Sequence, residues 1–211
     1  MPKTDEKNNS LRTSAIEFWF EFGSNYSYLS VMRIQELAAK NKLHIIWKPF
    51  LLGPIFKSLG WESSPFVAQK QRGDYAWKDM ARQCQKYQIP WQKPSQFPRS
   101  AIIPMRVAIY ARDKHWMNDF CQKIMLLNFS KDRDIDSVET VTETLNQLGL
   151  ASEEIIKASH SEPHKPLLRQ FTQEAQQRGI FGAPTFFVNH EMFWGNDRLD
   201  DAIKLASNKN N

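Results

Sequence analysis

Strand-forming sequence in this chain sits at its two ends, with a long stretch between them that carries none. Residues 16–22 alternate and are rich in β-formers up to Gly23, and residues 43–47 are a second such run. Far downstream, residues 185–188 and 191–194 are short apolar runs on either side of Asn189-His190, the pattern of a hairpin. Pro184 heads the first of these runs. Proline cannot donate to a sheet ladder, which predicts an edge hairpin, and a cis Ala183–Pro184 bond would present backbone groups at its entrance. Between the first two strands, Ser24-Asn25-Tyr26-Ser27 has helix N-cap chemistry. Tyr28, Leu29, Met32, Leu37 and Ala38 then give one apolar face to a helix reaching about Lys40. Strand, helix and strand make a βαβ unit, which implies a parallel pair and a right-handed crossover.

From Gly53 to Gly179 helical periodicity takes over. Met80, Cys84 and Tyr87 mark one helix, and Ile103, Val107 and Tyr110 a second, where Pro104 fits only the first turn. Trp116, Phe120, Ile124 and Leu127 mark a third. Asp136 with Glu139 reads as a capping box for a fourth, with the stripe Val138, Val141, Leu145 and Leu148 and a stop at Gly149. Short helices are expected near 152–159 and 166–178, and a last one from Asp197 to about Ala206. The order predicts an α/β chain: a thioredoxin-like four-stranded mixed sheet, one half βαβ and one half ββα, interrupted by a large all-helical insertion. The expected division is a flexible polar tail at 1–14, a thioredoxin-like domain from 15–52 and 179–207, and a helical insertion at 53–178. A second polar tail is expected at 207–211.

Composition narrows the function. The 211 residues suffice for a full core, and 12% aromatics with seven Trp suggest an aromatic-rich interior or cleft. A net charge of +5, with Lys and Arg dispersed among Asp and Glu, gives no nucleic-acid signature and suits an anionic small molecule. The polar N-terminus lacks a signal-peptide core, and no run is long and apolar enough to span a membrane, so a cytoplasmic protein is expected. Cys84 and Cys121 form no C-x-x-C or zinc spacing and fall on apolar helical stripes, which predicts buried, inert thiols in a reducing compartment and no metal.

In this arrangement the first strand-to-helix turn meets the residue before the proline that leads the third strand. Ser24 therefore comes near Ala183-Pro184. Redox members of the fold carry a reactive cysteine at the position of Ser24. Serine forms no disulfide, and it either caps the helix alone or also donates a hydrogen bond to a bound thiol and so favours the thiolate. Ala183 offers a strand edge to an extended peptide. Asp197 and Arg198 either cap and flank the last helix or hold the ammonium and carboxylate ends of a ligand.

The segments Phe22-Gly23-Ser24-Asn25-Tyr26-Ser27-Tyr28-Leu29, Gly182-Ala183-Pro184-Thr185 and Phe193-Trp194-Gly195-Asn196-Asp197-Arg198-Leu199 together resemble the motifs of 2-hydroxychromene-2-carboxylate isomerases, relatives of kappa-class glutathione transferases. The resemblance runs from about Ile16 to Ala206. It implies glutathione as cofactor, bound through Ser24, Ala183, Trp194, Gly195, Asn196 and Asp197, with Ser24 activating the sulfur. It further implies an isomerase that converts a chromene carboxylate to the trans-benzylidenepyruvate by reversible thiolate addition, in the setting of aromatic catabolism, and a homodimer. Lys57 matches a basic residue near the substrate in that family, and a small aromatic, anionic substrate needs such a countercharge. The sequence departs from the family at Ser64, where an asparagine commonly precedes the proline, and at Asn25, where a proline often follows the serine. Phe97, Pro98 and Arg99 are further candidates for the pocket wall. The alternatives are a kappa-like transferase acting on another electrophile, a thiol-disulfide oxidoreductase, and a non-catalytic binding module of the same fold.

Overall fold

The computed structural model describes residues 15–208. The tail expected at 1–14 lies outside the described residues, as do residues 209–211. Four strands, β1 (Ala15–Phe20), β2 (His44–Pro49), β3 (Thr185–Val188) and β4 (Glu191–Trp194), form one mixed sheet in the order β2-β1-β3-β4. β1 runs parallel to β2 and antiparallel to β3, and β3 runs antiparallel to β4. The parallel pair follows from the crossover helix α1 (Asn25–Lys40) and the antiparallel pair from the tight turn at Asn189, which takes φ of 57°.

β1 has both faces covered, and its side chains alternate between two cores. Ile16, Phe18 and Phe20 enter the larger core with Tyr28, Leu29 and Ile34 of α1. Trp19 enters the smaller one with Phe50, Ile55, Ala175 and Phe187. Such burial explains why this strand ends in three successive aromatic residues, Phe18, Trp19 and Phe20. The hairpin lies at the edge of the sheet, but the proline-led strand is not itself the edge: β3 is an interior strand, buried along its length, and β4 is the edge. Pro184 is tolerated because it precedes the ladder, and its carbonyl still accepts from the Gly195 N–H at 2.9 Å.

Nine further helices follow the crossover helix among the described residues. The expected ones are α4 (Lys70–Tyr87), α5 (Ile102–Ala111), α6 (Met117–Phe129), α7 (Val138–Gln147), α8 (Ser152–Ser159), α9 (Leu167–Gln177) and α10 (Leu199–Ser207). Two short ones, α2 (Leu52–Ser58) and α3 (Pro65–Ala68), were not foreseen, being too brief to show a periodic stripe. Pro104 sits in the first turn of α5 as expected. The capping box is displaced: Ser137 caps α7 by accepting from the Thr140 N–H at 3.1 Å. Asp136 instead accepts from the Ile103 N–H at 2.7 Å and ties the two helices together. The last helix likewise begins later than expected, at Leu199, after a 3-10 turn over Asn196–Arg198.

α1, α6 and α10 share the larger core, while α9 packs on β2 and helps to cover Trp19. The two cysteines are buried in the helical part of the larger core, where desolvation pushes the Cys84 thiol up to about 12 and the Cys121 thiol well above its ordinary value. Phe18 is fully buried, with its ring centroid 5.1 Å from Phe20, 5.2 Å from Phe186 and 5.4 Å from Trp47. Phe18→Ala is expected to cost about 3–5 kcal/mol through lost burial and a cavity between three strands, read as a fall in the urea midpoint without a change in slope.

Candidate active site

The site is built where β1 ends. Beyond Phe20 the chain turns, and Ser24 takes an extended conformation, φ −85° and ψ 118°, as the N-cap of α1. Its Oγ accepts from the Ser27 N–H at 3.2 Å and donates to the Ala183 carbonyl at 3.0 Å. Ser24 and the Ala183–Pro184 segment are thus in direct contact, and that peptide bond is cis. A hydroxyl has one hydrogen, so donation to a ligand requires it to turn from the Ala183 carbonyl. The first turn of α1 contains no acidic residue, which leaves the positive end of the helix dipole available to an anion. Ser24 is only 6% exposed, so that field acts with little water between.

The turn is held from behind by a buried network. The Arg99 guanidinium donates to the Asn128 side-chain oxygen at 3.0 Å and pairs with Asp132, and Asn128 Nδ2 donates to the Phe22 carbonyl at 3.0 Å. Phe97, Pro98 and Arg99, expected at the pocket wall, all line the cleft, and the Arg99 guanidinium is committed to Asn128 and Asp132. A Cβ on Gly23 would stand 2.9 Å from the Arg99 carbonyl, so only glycine fits there. The preceding Phe97–Pro98 peptide is cis.

Ser24 lies in the wall of a cleft of about 990 Å³, within the range of small-molecule sites. Lys57, Ala183, Trp194, Gly195, Asn196 and Asp197 line the same cleft, so all seven sequence-predicted residues come together. Their circumstances differ. Lys57 lies on α2, exposed and without a carboxylate partner among the described residues. Trp194 is 51% exposed, its ring 4.7 Å from that of Phe181 and seated over Gly182, where a Cβ would meet the indole nitrogen at 2.4 Å. The N–H of Gly195 is committed to Pro184. Asn196 is 4% exposed, and its Oδ1 accepts from Ser30 at 3.1 Å and Arg33 at 3.2 Å, which fastens the 3-10 turn to α1. Asp197 is exposed and pairs with Arg198 at 3.0 Å.

Ser64 caps α3, accepting from the Phe66 N–H at 3.3 Å, and lies on the cleft wall. Asn25 is buried there too, and its Nδ2 has no hydrogen-bond partner. Sequence reasoning missed Glu21 and the aromatic walls. Phe56 and Trp61 face each other at 5.7 Å on one side, and Tyr26 and Phe66 at 6.0 Å on another. The Tyr26 hydroxyl donates to Asp79 at 2.8 Å, and burial followed by that bond pushes its ionisation well above the usual range. Glu21 also lines the cleft, and burial lifts its carboxyl to about 7 against the opposing hydrogen bond from the Leu52 N–H. An acidic residue just beyond a strand that ends at a helix N-cap was the signal available for it. Among the described residues no group of three or more His, Cys, Asp or Glu is placed to hold a metal ion. No described helix is long and apolar enough to cross a membrane.

The family model of the DSBA-like thioredoxin domain matches residues 15–204. The chain belongs to that family. Among curated proteins, this DSBA-like chain is 28% identical over 190 residues to the 2-hydroxychromene-2-carboxylate isomerase of Sphingobium xenophagum, across 89% of this chain and 95% of that protein. It is 26% identical over 199 residues to glutathione S-transferase kappa 2 of Caenorhabditis elegans, across 87% and 88%. Among solved structures, a 2-hydroxychromene-2-carboxylate isomerase superposes with a TM-score of 0.82 at 24% identity, over 93% of this chain and 97% of the other. The cytosolic disulfide reductase DsbM of Pseudomonas aeruginosa with GSH gives 0.65 at 13% identity, over 92% and 98%. These superpositions establish the thioredoxin-like fold, and the two curated relatives of this DSBA-like chain are named as an isomerase and a glutathione transferase.

A carboxyl whose folded pKa is raised favours the folded state while protonated. The stability it lends is present below the unfolded value of 4.5 and is lost as pH rises through about 7. Glu21→Gln, which keeps the shape and removes the charge, is therefore expected to raise the melting temperature at about pH 8 and to leave it unchanged at about pH 4. Thermal denaturation at the two pH values reads the difference.

Proposed function

We propose that this protein binds glutathione in the cleft, with the sulfur at Ser24, and is a glutathione-dependent isomerase of the 2-hydroxychromene-2-carboxylate type. The observation that carries this reading is a hydroxyl, in place of a thiol, at the N-cap of α1 and 3.0 Å from the residue before the cis-proline. The residues fit a tripeptide thiol. The N-terminus of α1 and the Ser24 hydroxyl favour a thiolate. Ala183 offers backbone groups to an extended peptide, and the Asp197–Arg198 pair offers both signs of charge to its ends. When bound, glutathione supplies a nucleophilic sulfur whose reversible addition to a conjugated double bond permits rotation to the trans isomer. The protein's part is to orient that sulfur, to exclude water with the aromatic walls, and to hold the substrate.

The walls formed by Phe56, Trp61, Tyr26 and Phe66 suit a flat aromatic ring, and Lys57 on α2 suits its carboxylate. A small aromatic, anionic substrate follows, drawn from the catabolism of aromatic compounds. The similarity to glutathione S-transferase kappa 2 supports a second reading, transfer of glutathione to another electrophile at the same site. Disulfide exchange is disfavoured, since Ser24 cannot form a disulfide and both thiols are buried and hard to ionise. The same two reduced thiols suit a cytoplasmic setting. We include the homodimer in this reading; sedimentation equilibrium should return twice the mass of one chain.

Calorimetry with millimolar glutathione should show binding, and Ser24→Ala should lower turnover of a chromene carboxylate by about 10²-fold while glutathione affinity changes little. Turnover of a halonitrobenzene alone would favour the transferase reading. An absence of glutathione binding would defeat both.

A further inference from the structure

The site contains an evident donor for a thiolate but, in Ser24, no group able to take the thiol's proton. A serine hydroxyl is too weak a base for that, and most neighbouring groups are otherwise engaged. Asp79 receives the Tyr26 hydroxyl, Asp197 holds Arg198, and Lys57 is a cation. Cys84 and Cys121 lie in the larger core. Glu21 differs from these in position. Its backbone carbonyl accepts the Ser24 N–H at 3.1 Å, so it belongs to the same turn as the serine. Its Oε2 stands 3.8 Å from where a Cβ on Gly23 would project, and both residues line the cleft. Leu51, the N-cap of α2, makes no side-chain cap bond, and Leu52 at the start of that helix lines the cleft together with Glu21. The carboxyl thus stands beside the first turn on the wall of the cleft. No cation pairs with it among the described residues.

We propose that Glu21 is the proton acceptor for the thiol bound at Ser24. The inference rests on the glutathione reading above and assigns a residue which that reading leaves idle. The thiol S–H bond breaks, an O–H bond forms on the Glu21 carboxylate, and the electron pair stays on sulfur, where the Ser24 hydroxyl and the N-terminus of α1 stabilise it. When the thiol departs, the same proton returns to sulfur, so the cycle needs no other reactant.

The surroundings of Glu21 set its proton affinity. Burial lifts the carboxyl to about 7, just below the roughly 8.5 of a free cysteine thiol, so the transfer is mildly uphill before the helix and the serine assist it. Among the charged groups on elements packed around it, Lys57 of α2 is unpaired, while Arg99 is turned toward Asp132. On the strand layer, Glu17 is held by Arg178 and Lys48 by Glu174, so neither ion pair presents a net charge to Glu21.

The test follows protons as well as turnover. Glutathione binding to the wild-type protein at about pH 8 is measured by calorimetry in buffers of different ionisation enthalpy, alongside the ultraviolet absorbance of the thiolate. Thiolate formation with no proton released to buffer, together with a carboxylic-acid band appearing in the difference infrared spectrum, is the expected result. Glu21→Gln should lose that band and should either release one proton per thiolate formed or bind glutathione as the thiol. Its turnover at neutral pH should drop about 10²-fold and recover as pH rises, because the thiol then ionises unaided. Thiolate formation in the wild type that releases a full proton to buffer and shows no infrared band would overturn the assignment, even if the variant failed to fold. No glutathione binding by the wild type would instead defeat the underlying reading.

Discussion

One hydrogen bond joins the two ends of the chain at the place where chemistry is possible: Ser24 Oγ to the Ala183 carbonyl, 3.0 Å long and 159 residues apart in sequence. It exists because β1 is paired to β3, which brings the end of one strand beside the beginning of the other. The register Trp19 to Thr185 sets this contact directly. A slip by one residue would move Trp19 and Phe18 into each other's cores and carry Ala183 away from the turn. The site therefore depends on the same alternation of aromatic side chains that forms the two cores.

The helical stretch between the halves contributes to the cleft as well as to bulk. α2 and α3 supply Lys57, Ser64 and the aromatic walls, and α4 supplies Asp79 to hold Tyr26. The loop before α5 anchors the first turn through Arg99, Asn128 and the Phe22 carbonyl. Buried charge is costly unless it is satisfied, and here the guanidinium is met by Asp132 and two oxygens of Asn128. Its structural role explains why a residue close to the cleft offers no charge to a ligand. Asn196 is similar, since its carboxamide oxygen is spent on Ser30 and Arg33. Both residues hold other parts of the site in place.

Glu21 shows how one group can serve stability and chemistry in opposite directions. Burial under the first turn makes its charge unfavourable, which weakens the fold at neutral pH, yet the same burial brings its proton affinity near that of a thiol. A carboxylate in open solvent at this position would be a weaker base and a smaller burden.

The sequence by itself determined the succession of strands and long helices along the chain, the capped turn at Ser24, the proline at the head of β3 and the burial of both cysteines. Each is a local pattern: alternation, a 3.6-residue stripe, or a cap. It also placed six of the seven candidate residues in three motifs, because such motifs are contiguous, with Lys57 in a separate stretch. Tertiary structure alone decided that β3 is interior, that Ser137 and not Asp136 caps α7, and that the Arg99 guanidinium is spent on Asn128 and Asp132. It also placed Glu21 on the cleft wall. Strand order, the partner of a side chain and the proton affinity of a carboxyl all depend on what lies across space. A turn residue at 21 and a helix start at 52 are unrelated in sequence until the sheet brings them together.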